Sequence, residues 1–211
     1  MTYNDPQLLQ TLQVVIETLG TFAFAISGIR HAAAKKFDWF GGYVCGFAVA
    51  IGGGTIRDVM LGVSPFWTTD IRYLFFTTLA LALAIISRKL LKKLDNAWFV
   101  FDTLGLAFFT IAGLQKTLSL GHPFWLAIVM GCITGVAGGI IRDILLNNVP
   151  VIFHKEIYAI ASVAGGLLYW GMWYLDINIT ITAIATFLLI CIIRFVAVYY
   201  HVTLPALHDE L

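Results

Sequence analysis

The stretch GGGTIRDVMLG, residues 52–62, interrupts a long apolar segment with three consecutive glycines and two charged side chains. Each glycine costs a helix roughly 1 kcal/mol relative to alanine, so the backbone here is free to bend or unwind. An Arg or Asp at bilayer depth costs at least about 2.5–3.5 kcal/mol, and such residues usually face a bundle interior or a water-filled cavity. The stretch therefore predicts a solute path through a membrane protein.

A second copy of this stretch lies 85 residues later, as AGGIIRDILLN at residues 137–147. The same offset aligns Pro65 with Pro150 and, without a gap, TLG at 18–20 with TLG at 103–105. An acidic residue precedes both TLG triplets. We interpret this pattern as an internal duplication, the sequence feature that most constrains a fold.

The composition excludes an ordinary soluble domain. The chain is 60% hydrophobic and 12% charged, whereas globular domains have about 45–50% apolar and about 25% charged residues. A formal net charge of +1 without a basic aromatic motif predicts no nucleic-acid partner. The cysteines and histidines lack metal-ligand spacing, and no nucleophile elbow, phosphate loop or HExxH pattern occurs, so we predict neither an enzyme nor a cofactor.

Seven segments are long enough to be candidate spans of a bilayer, which needs about 20 apolar residues per helix. The predicted spans are residues 8–29, 40–62, 72–88, 97–115, 124–146, 157–175 and 179–200. The offset maps the first three spans onto the next three. Because each unit has an odd number of spans, the second must insert upside down. The predicted fold is an all-α membrane protein with two inverted three-helix repeats, residues 8–93 and 94–176, and a seventh helix with a tail at 177–211.

Lysine and arginine in short loops predict the orientation, since cytoplasmic loops carry the excess of positive charge. One side carries Arg30, Lys35, Lys36, Arg88, Lys89, Lys92, Lys93 and Lys155, and the other carries Arg72 and Lys116. The N-terminus is therefore predicted outside and the C-terminus in the cytoplasm. The basic run at 88–93 is either a topology signal or a contact with anionic membrane lipids.

The glycines of the second and fifth spans admit two interpretations. Small residues recur every fourth position, at Gly42, Gly46, Ala50 and Gly54, a spacing that lets helices pack closely in membranes. Adjacent glycines occupy several faces, which favours a kink instead. Such a kink would expose carbonyl oxygens that replace the hydration shell of a monovalent cation. The predicted transient cation positions are Gly53, Gly54, Gly138 and Gly139, with Gly52 completing the first kink.

The buried charges are predicted to form two pairs at matched depth, Glu17 with Arg57 and Asp102 with Arg142. These pairs either clamp the bundle or line the solute path, and the sequence leaves both open. The same choice applies to the adjacent Asp58 and Asp143. Ser27 and Thr55 are hydroxyls near the midplane that either coordinate solute or bond back to their own helix. Arg194 is expected to snorkel or to pack.

Together, the two copies of the glycine and Arg-Asp motif and the seven spans resemble the prokaryotic branch of the trimeric intracellular cation (TRIC) channel family. The resemblance implies a homotrimer in which each protomer has its own pore for potassium and sodium. It also implies that the pore runs between spans 1, 2, 4 and 5, and that kinks at Gly52–Gly54 and Gly138–Gly139 control its width. Ala137 replaces the first glycine of the second copy, which makes that kink stiffer.

Three functions follow from these observations. The first is a passive monovalent cation channel of a bacterial inner membrane. The second is a carrier for a small zwitterion such as glycine, whose carboxylate would meet an arginine and whose ammonium would meet Glu17 or Asp102. The third is a structural or lipid-scaffolding membrane protein.

Overall fold

The computed structural model describes residues 6–87, 97–153 and 157–202, and the regular structure in these ranges is helical. Within these ranges seven α-helices follow one another, one for each predicted span. They are α1 (Pro6–Ala34), α2 (Trp39–Met60), α3 (Arg72–Ile86), α4 (Ala97–Ser119), α5 (Phe124–Leu145), α6 (Ala159–Tyr174) and α7 (Ile179–Tyr199). Short 3₁₀ helices at Phe66–Thr69 and Val151–Phe153 follow α2 and α5. The basic run at 88–93, Lys155 and the tail from residue 203 lie outside the described residues.

Five of the seven helices are long and apolar enough to cross a membrane. These are α1 from Leu9, α2, α4 from Trp98, α5 and α7. The described parts of α3 and α6 have 15 and 16 residues. At about 1.5 Å of rise per residue they fall short of the roughly 30 Å hydrocarbon thickness. Five full spans are therefore shown, while passage of α3 and α6 through the membrane stays a prediction.

The turns that end the helices also repeat at the offset of 85. Gly62 and Asn147 both adopt a left-handed backbone, with φ of 70° and 54°, directly after α2 and α5. Lys36 and Gly121 do so after α1 and α4, with φ of 62° and 80°. Left-handed residues commonly end helices because they turn the chain away from the helix axis. The local chain geometry of the two halves therefore matches as well as their sequences.

The centre of the bundle lies between α1 and α4, which pack on one another and on α2 and α5. Phe24 of α1 stacks on Phe109 of α4 with ring centroids 5.3 Å apart. Gly105 and Gly20 make room for these rings, since an added Cβ at Gly105 would overlap Phe24 and one at Gly20 would lie 3.1 Å from Phe109. Phe24 and Phe109 occupy equivalent positions of the two copies, so this stacked pair joins the two repeats through the same residue of each.

Equivalent positions of the two copies also make matching contacts where α2 and α5 cross. An added Cβ at Gly53 would overlap the carbonyl oxygen of Thr134, and one at Gly138 would lie 2.7 Å from the carbonyl oxygen of Val49. Val49 and Thr134 are themselves 85 positions apart. Glycine is required here because each helix backbone rests directly on the other.

The backbone remains α-helical through both sets of glycines, because α2 runs unbroken over Trp39–Met60 and α5 over Phe124–Leu145. The prediction that the glycines unwind the helices and free their carbonyl oxygens is wrong for this structure. Gly52–Gly54 and Gly138–Gly139 are all buried and pack against neighbouring side chains or backbone. The absence of side chains at these glycines lets the neighbouring groups pack closely, whereas the sequence suggested that it makes the helices flexible. A bend within the unbroken helices stays a prediction.

Candidate functional site

The first buried charge cluster joins α1, α2 and α3. Arg57 Nη2 lies 3.5 Å from Glu17 Oε1, and Arg57 Nε donates to Asp58 Oδ1 at 2.8 Å. Tyr73, in the first turn of α3, donates its hydroxyl to Glu17 Oε2 at 2.9 Å. All four residues are buried. The cluster therefore ties three helices of the first repeat together through charge-assisted hydrogen bonds.

The second cluster repeats this arrangement on α4 and α5. Arg142 Nη1 pairs with Asp102 Oδ1, and Arg142 Nε donates to Asp143 Oδ1 at 2.9 Å. Tyr158, which caps α6, donates to Asp102 Oδ1 at 3.3 Å. The predicted pairs of Glu17 with Arg57 and of Asp102 with Arg142 are thus confirmed.

The aspartates that follow the arginines anchor the chain beyond each helix. Asp58 Oδ2 accepts a hydrogen bond from the Phe66 backbone N–H at 2.8 Å, and Asp143 Oδ2 accepts one from Val151 N–H at 3.1 Å. Each carboxylate therefore uses one oxygen for its arginine and the other for the following 3₁₀ segment. This geometry favours a positioning role for the two aspartates, while Glu17 and Asp102 remain the better candidates for contact with solute.

Sequence reasoning missed the two tyrosines. Tyr73 and Tyr158 are separated by the same 85 residues as every other member of the clusters. That offset was the available signal, because an equivalent tyrosine at the start of the third helix of both copies is not expected by composition alone.

The second cluster has contacts that the first lacks. Arg142 Nη1 donates to Ser27 Oγ at 3.2 Å, so Ser27 joins α1 to the cluster of the other repeat. Arg194 of α7 lies over the rings of Tyr158 and Phe99, at 4.6 and 5.1 Å from their centroids. With 1% of its surface exposed, Arg194 packs rather than snorkels. The seventh helix therefore contacts the second cluster through Arg194.

Several buried polar atoms near the clusters have no hydrogen-bond partner among the described residues. They are Arg57 Nη1, Arg142 Nη2, Asp102 Oδ2 and the hydroxyls of Thr21 and Thr103. Leaving such an atom unpaired costs about 1–3 kcal/mol, and more when the group is charged. Native proteins usually satisfy these atoms with ordered water. The clusters therefore offer both donors and acceptors to water or to a solute.

The remaining predicted positions make local contacts. Thr55 bonds back to Ile51 O at 2.8 Å and accepts from Trp67 Nε1 at 2.9 Å, which satisfies its hydroxyl locally. Gly54 faces the ring of Phe66, and Gly139 faces the hydroxyl of Tyr158. These two glycines make room for residues that surround the clusters, so their contribution to the site is packing.

A family model described as Glycine transporter matches the chain twice, over residues 14–89 and 99–174. The chain belongs to this family. The two matches start 85 residues apart, the offset that relates the two charge clusters.

Relatives of this chain include a UPF0126 membrane protein of Vibrio cholerae. It is 37% identical over 96% of this chain and 85% of its own length. The UPF0126 inner membrane protein YadS of Escherichia coli K12 is 36% identical over 90% of this chain and 93% of its own length.

The fold also matches a solved structure. The crystal structure of the TRIC trimeric intracellular cation channel orthologue from Rhodobacter sphaeroides superposes with a TM-score of 0.85 and 26% identity, over 91% of this chain and all of that one. The resemblance to the prokaryotic TRIC channels is therefore confirmed, and the chain is a multi-pass membrane protein with their fold.

Proposed function

We propose that the protein is a passive channel for monovalent cations, potassium and sodium, in a bacterial inner membrane. It acts as a homotrimer with one path in each protomer. The observation that carries the proposal is the pair of buried carboxylate and arginine clusters, each of which leaves a charged group incompletely paired. The similarity to a TRIC channel orthologue supports it.

The proposed path follows a polar face of α1 through the bundle. Gln13, Glu17 and Thr21 are spaced four residues apart, which places them on one face of the helix. Gln13 Nε2 donates to Glu17 Oε1 at 3.3 Å, and Ser27 lies further along near Arg142. Cations would meet carboxylate oxygens at Glu17 and at Asp102 in turn, while the two arginines would keep the path narrow.

In this proposal the described structure is a closed state of the channel. Both arginines are fully buried, and the backbones of α2 and α5 rest on each other at Gly53 and Gly138. Opening would require these two helices to separate or rotate at that crossing, which would turn the arginines away from the path. The inverted relation of the two repeats, with the N-terminus outside and the C-terminus in the cytoplasm, would place one cluster in each half of the membrane.

Planar bilayers containing the purified protein test this function. We expect discrete single-channel currents in potassium chloride, with a reversal potential that follows the potassium gradient rather than the chloride gradient. An anion-selective current, or none from correctly assembled protein, would contradict the proposal.

A carrier for a small zwitterion such as glycine is the second candidate, favoured by the description of the matching family model. Each cluster holds an arginine for a carboxylate beside an acid for an ammonium group. Saturable uptake of labelled glycine into proteoliposomes without unitary currents would establish this function in place of the channel.

A further inference from the structure

A large pocket opens at the end of the bundle where α1 begins and α4 ends. Its volume is about 1060 Å³, slightly above the range of roughly 300–1,000 Å³ that is usual for small-molecule sites. It extends from Gln10 and Gln13 of α1 to Trp173 at the end of α6 and Ile179 at the start of α7. A bare alkali cation or a glycine molecule would fill only a small part of this space.

One buried amide faces this pocket without a partner. Gln115 of α4 is 7% exposed, and neither its Oε1 nor its Nε2 has a hydrogen-bond partner among the described residues. A primary amide can accept and donate hydrogen bonds. Gln115 therefore supplies unused polar capacity to a ligand or to the water around one.

Aromatic rings form much of the pocket wall. Tyr169, Trp173 and Tyr174 of α6 line it together with Phe124 of α5. The rings of Trp173 and Phe124 lie 4.7 Å apart and are inclined by 50°, so they form two walls of a corner. Aromatic faces arranged in this way attract quaternary ammonium groups through their electron-rich surfaces.

The charge of the lining favours a cation. Asp176 is the one carboxylate in the described lining, and no Lys or Arg side chain belongs to it. His122, Ser119 and the glutamines complete the polar part of the described wall.

We propose that this pocket binds an organic ammonium ion with apolar substituents. The aromatic corner would hold the substituted ammonium group, Asp176 would balance its charge, and Gln115 would bond a polar substituent or a bridging water. The pocket also connects to the first charge cluster, because Gln13 lines it and donates to Glu17 at 3.3 Å.

Isothermal titration calorimetry of the full chain, purified in detergent, tests this proposal with choline and its uncharged isostere 3,3-dimethylbutan-1-ol. We expect saturable binding of choline and at least about tenfold weaker binding of the alcohol, because the alcohol lacks the charge that the rings recognise. Calorimetry reports binding whether or not the protein conducts, so a failure of the proposed function leaves this test intact. Equal binding of the two compounds, or no saturable heat with choline, would overturn the proposal.

Three variants locate the site. Trp173→Leu and Asp176→Asn should each weaken choline binding by about fivefold or more, as expected for loss of a ring or of a counter-charge. Asn tolerates the left-handed backbone of position 176, where φ is 55°, so the second variant is expected to fold. Trp170→Leu is the matched control, because Trp170 lies outside the pocket and is 47% exposed. Unchanged affinity in both pocket variants, or an equal loss in the control, would rule out this site.

Discussion

Arg142 donates a hydrogen bond from Nη1 to Ser27 Oγ at 3.2 Å, and this contact joins the second charge cluster to the first repeat. The position equivalent to Ser27 in the second copy is Ala112, which has no hydroxyl to offer Arg57. The two clusters are therefore alike within their own repeats and different in how they connect to the other one. The chain has kept its duplicated pairs while allowing the contacts between the halves to diverge.

Replacing Ser27 with alanine should destabilise the fold by about 1.5–3 kcal/mol, the usual contribution of a buried hydrogen bond to a charged group. The free energy of unfolding in mixed micelles of mild detergent and SDS measures this loss. The reverse change, Ala112→Ser, offers Arg57 the missing partner and should stabilise by about 0.5–1.5 kcal/mol. Equal effects of the same sign in both variants would contradict the asymmetry of the clusters.

Adding a methyl group at the α2 and α5 crossing should force the helices apart. Gly53→Ala should destabilise the protein by about 1–3 kcal/mol or more, because the new Cβ would overlap a backbone oxygen of Thr134 that has little room to move. Gly138→Ala should behave similarly, with its Cβ 2.7 Å from Val49 O. Thermal unfolding in detergent measures both effects.

Gly42→Ala is the matched control on the same helix, because an added Cβ there meets no atom within 4 Å. We expect it to be neutral or to stabilise by up to about 1 kcal/mol, since alanine favours helix more than glycine does. If Gly53→Ala were as harmless as the control, the crossing would be adaptable rather than tightly packed.

Removing the tyrosine hydroxyls should weaken the clusters to different extents. Tyr73→Phe should cost more than Tyr158→Phe, because the Tyr73 bond to Glu17 is 2.9 Å and the Tyr158 bond to Asp102 is 3.3 Å. Each loss is expected to lie near about 1.5–3 kcal/mol, since the acceptor is an ionised carboxylate. Tyr199→Phe is the control, because Tyr199 is 77% exposed. We expect this variant to unfold with the same free energy as the unchanged protein.

The helices and the two charge pairs were predictable because they follow from local rules. Apolar runs of sufficient length predict helices in a membrane, and a duplicated acid and arginine at matched depth have to neutralise one another. The partners of Asp58 and Asp143 were not predictable in this way. They are backbone groups of Phe66 and Val151, and only the path of the loop brings them within reach.

The role of the glycines depends on packing that sequence does not specify. A glycine that lets a helix bend and one that lets a neighbouring helix approach look the same in a single sequence. At Gly53 the deciding partner is the carbonyl oxygen of Thr134. Arg194 presents a similar ambiguity, because its side chain is long enough to reach the interface. It is held instead by the rings of Phe99 and Tyr158, which the packing of α7 places beside it.

Neutralising Glu17 separates the clamp role of the first cluster from its proposed role in conduction. Glu17→Gln leaves Arg57 buried with one carboxylate fewer and should destabilise by about 3–5 kcal/mol. A triple variant, Glu17→Gln with Arg57→Gln and Asp58→Asn, removes all three charges of the cluster and should recover much of that stability, because Asp58 is also paired with Arg57 and would otherwise stay buried without its partner. If Glu17 also attracts cations, the triple variant should assemble normally but carry a smaller potassium current in planar bilayers. Asp70→Asn is the control, because Asp70 and Arg72 form an ion pair at the surface, where pairing contributes little to stability. A triple variant with restored stability and an unchanged current would show that the cluster only clamps the helices.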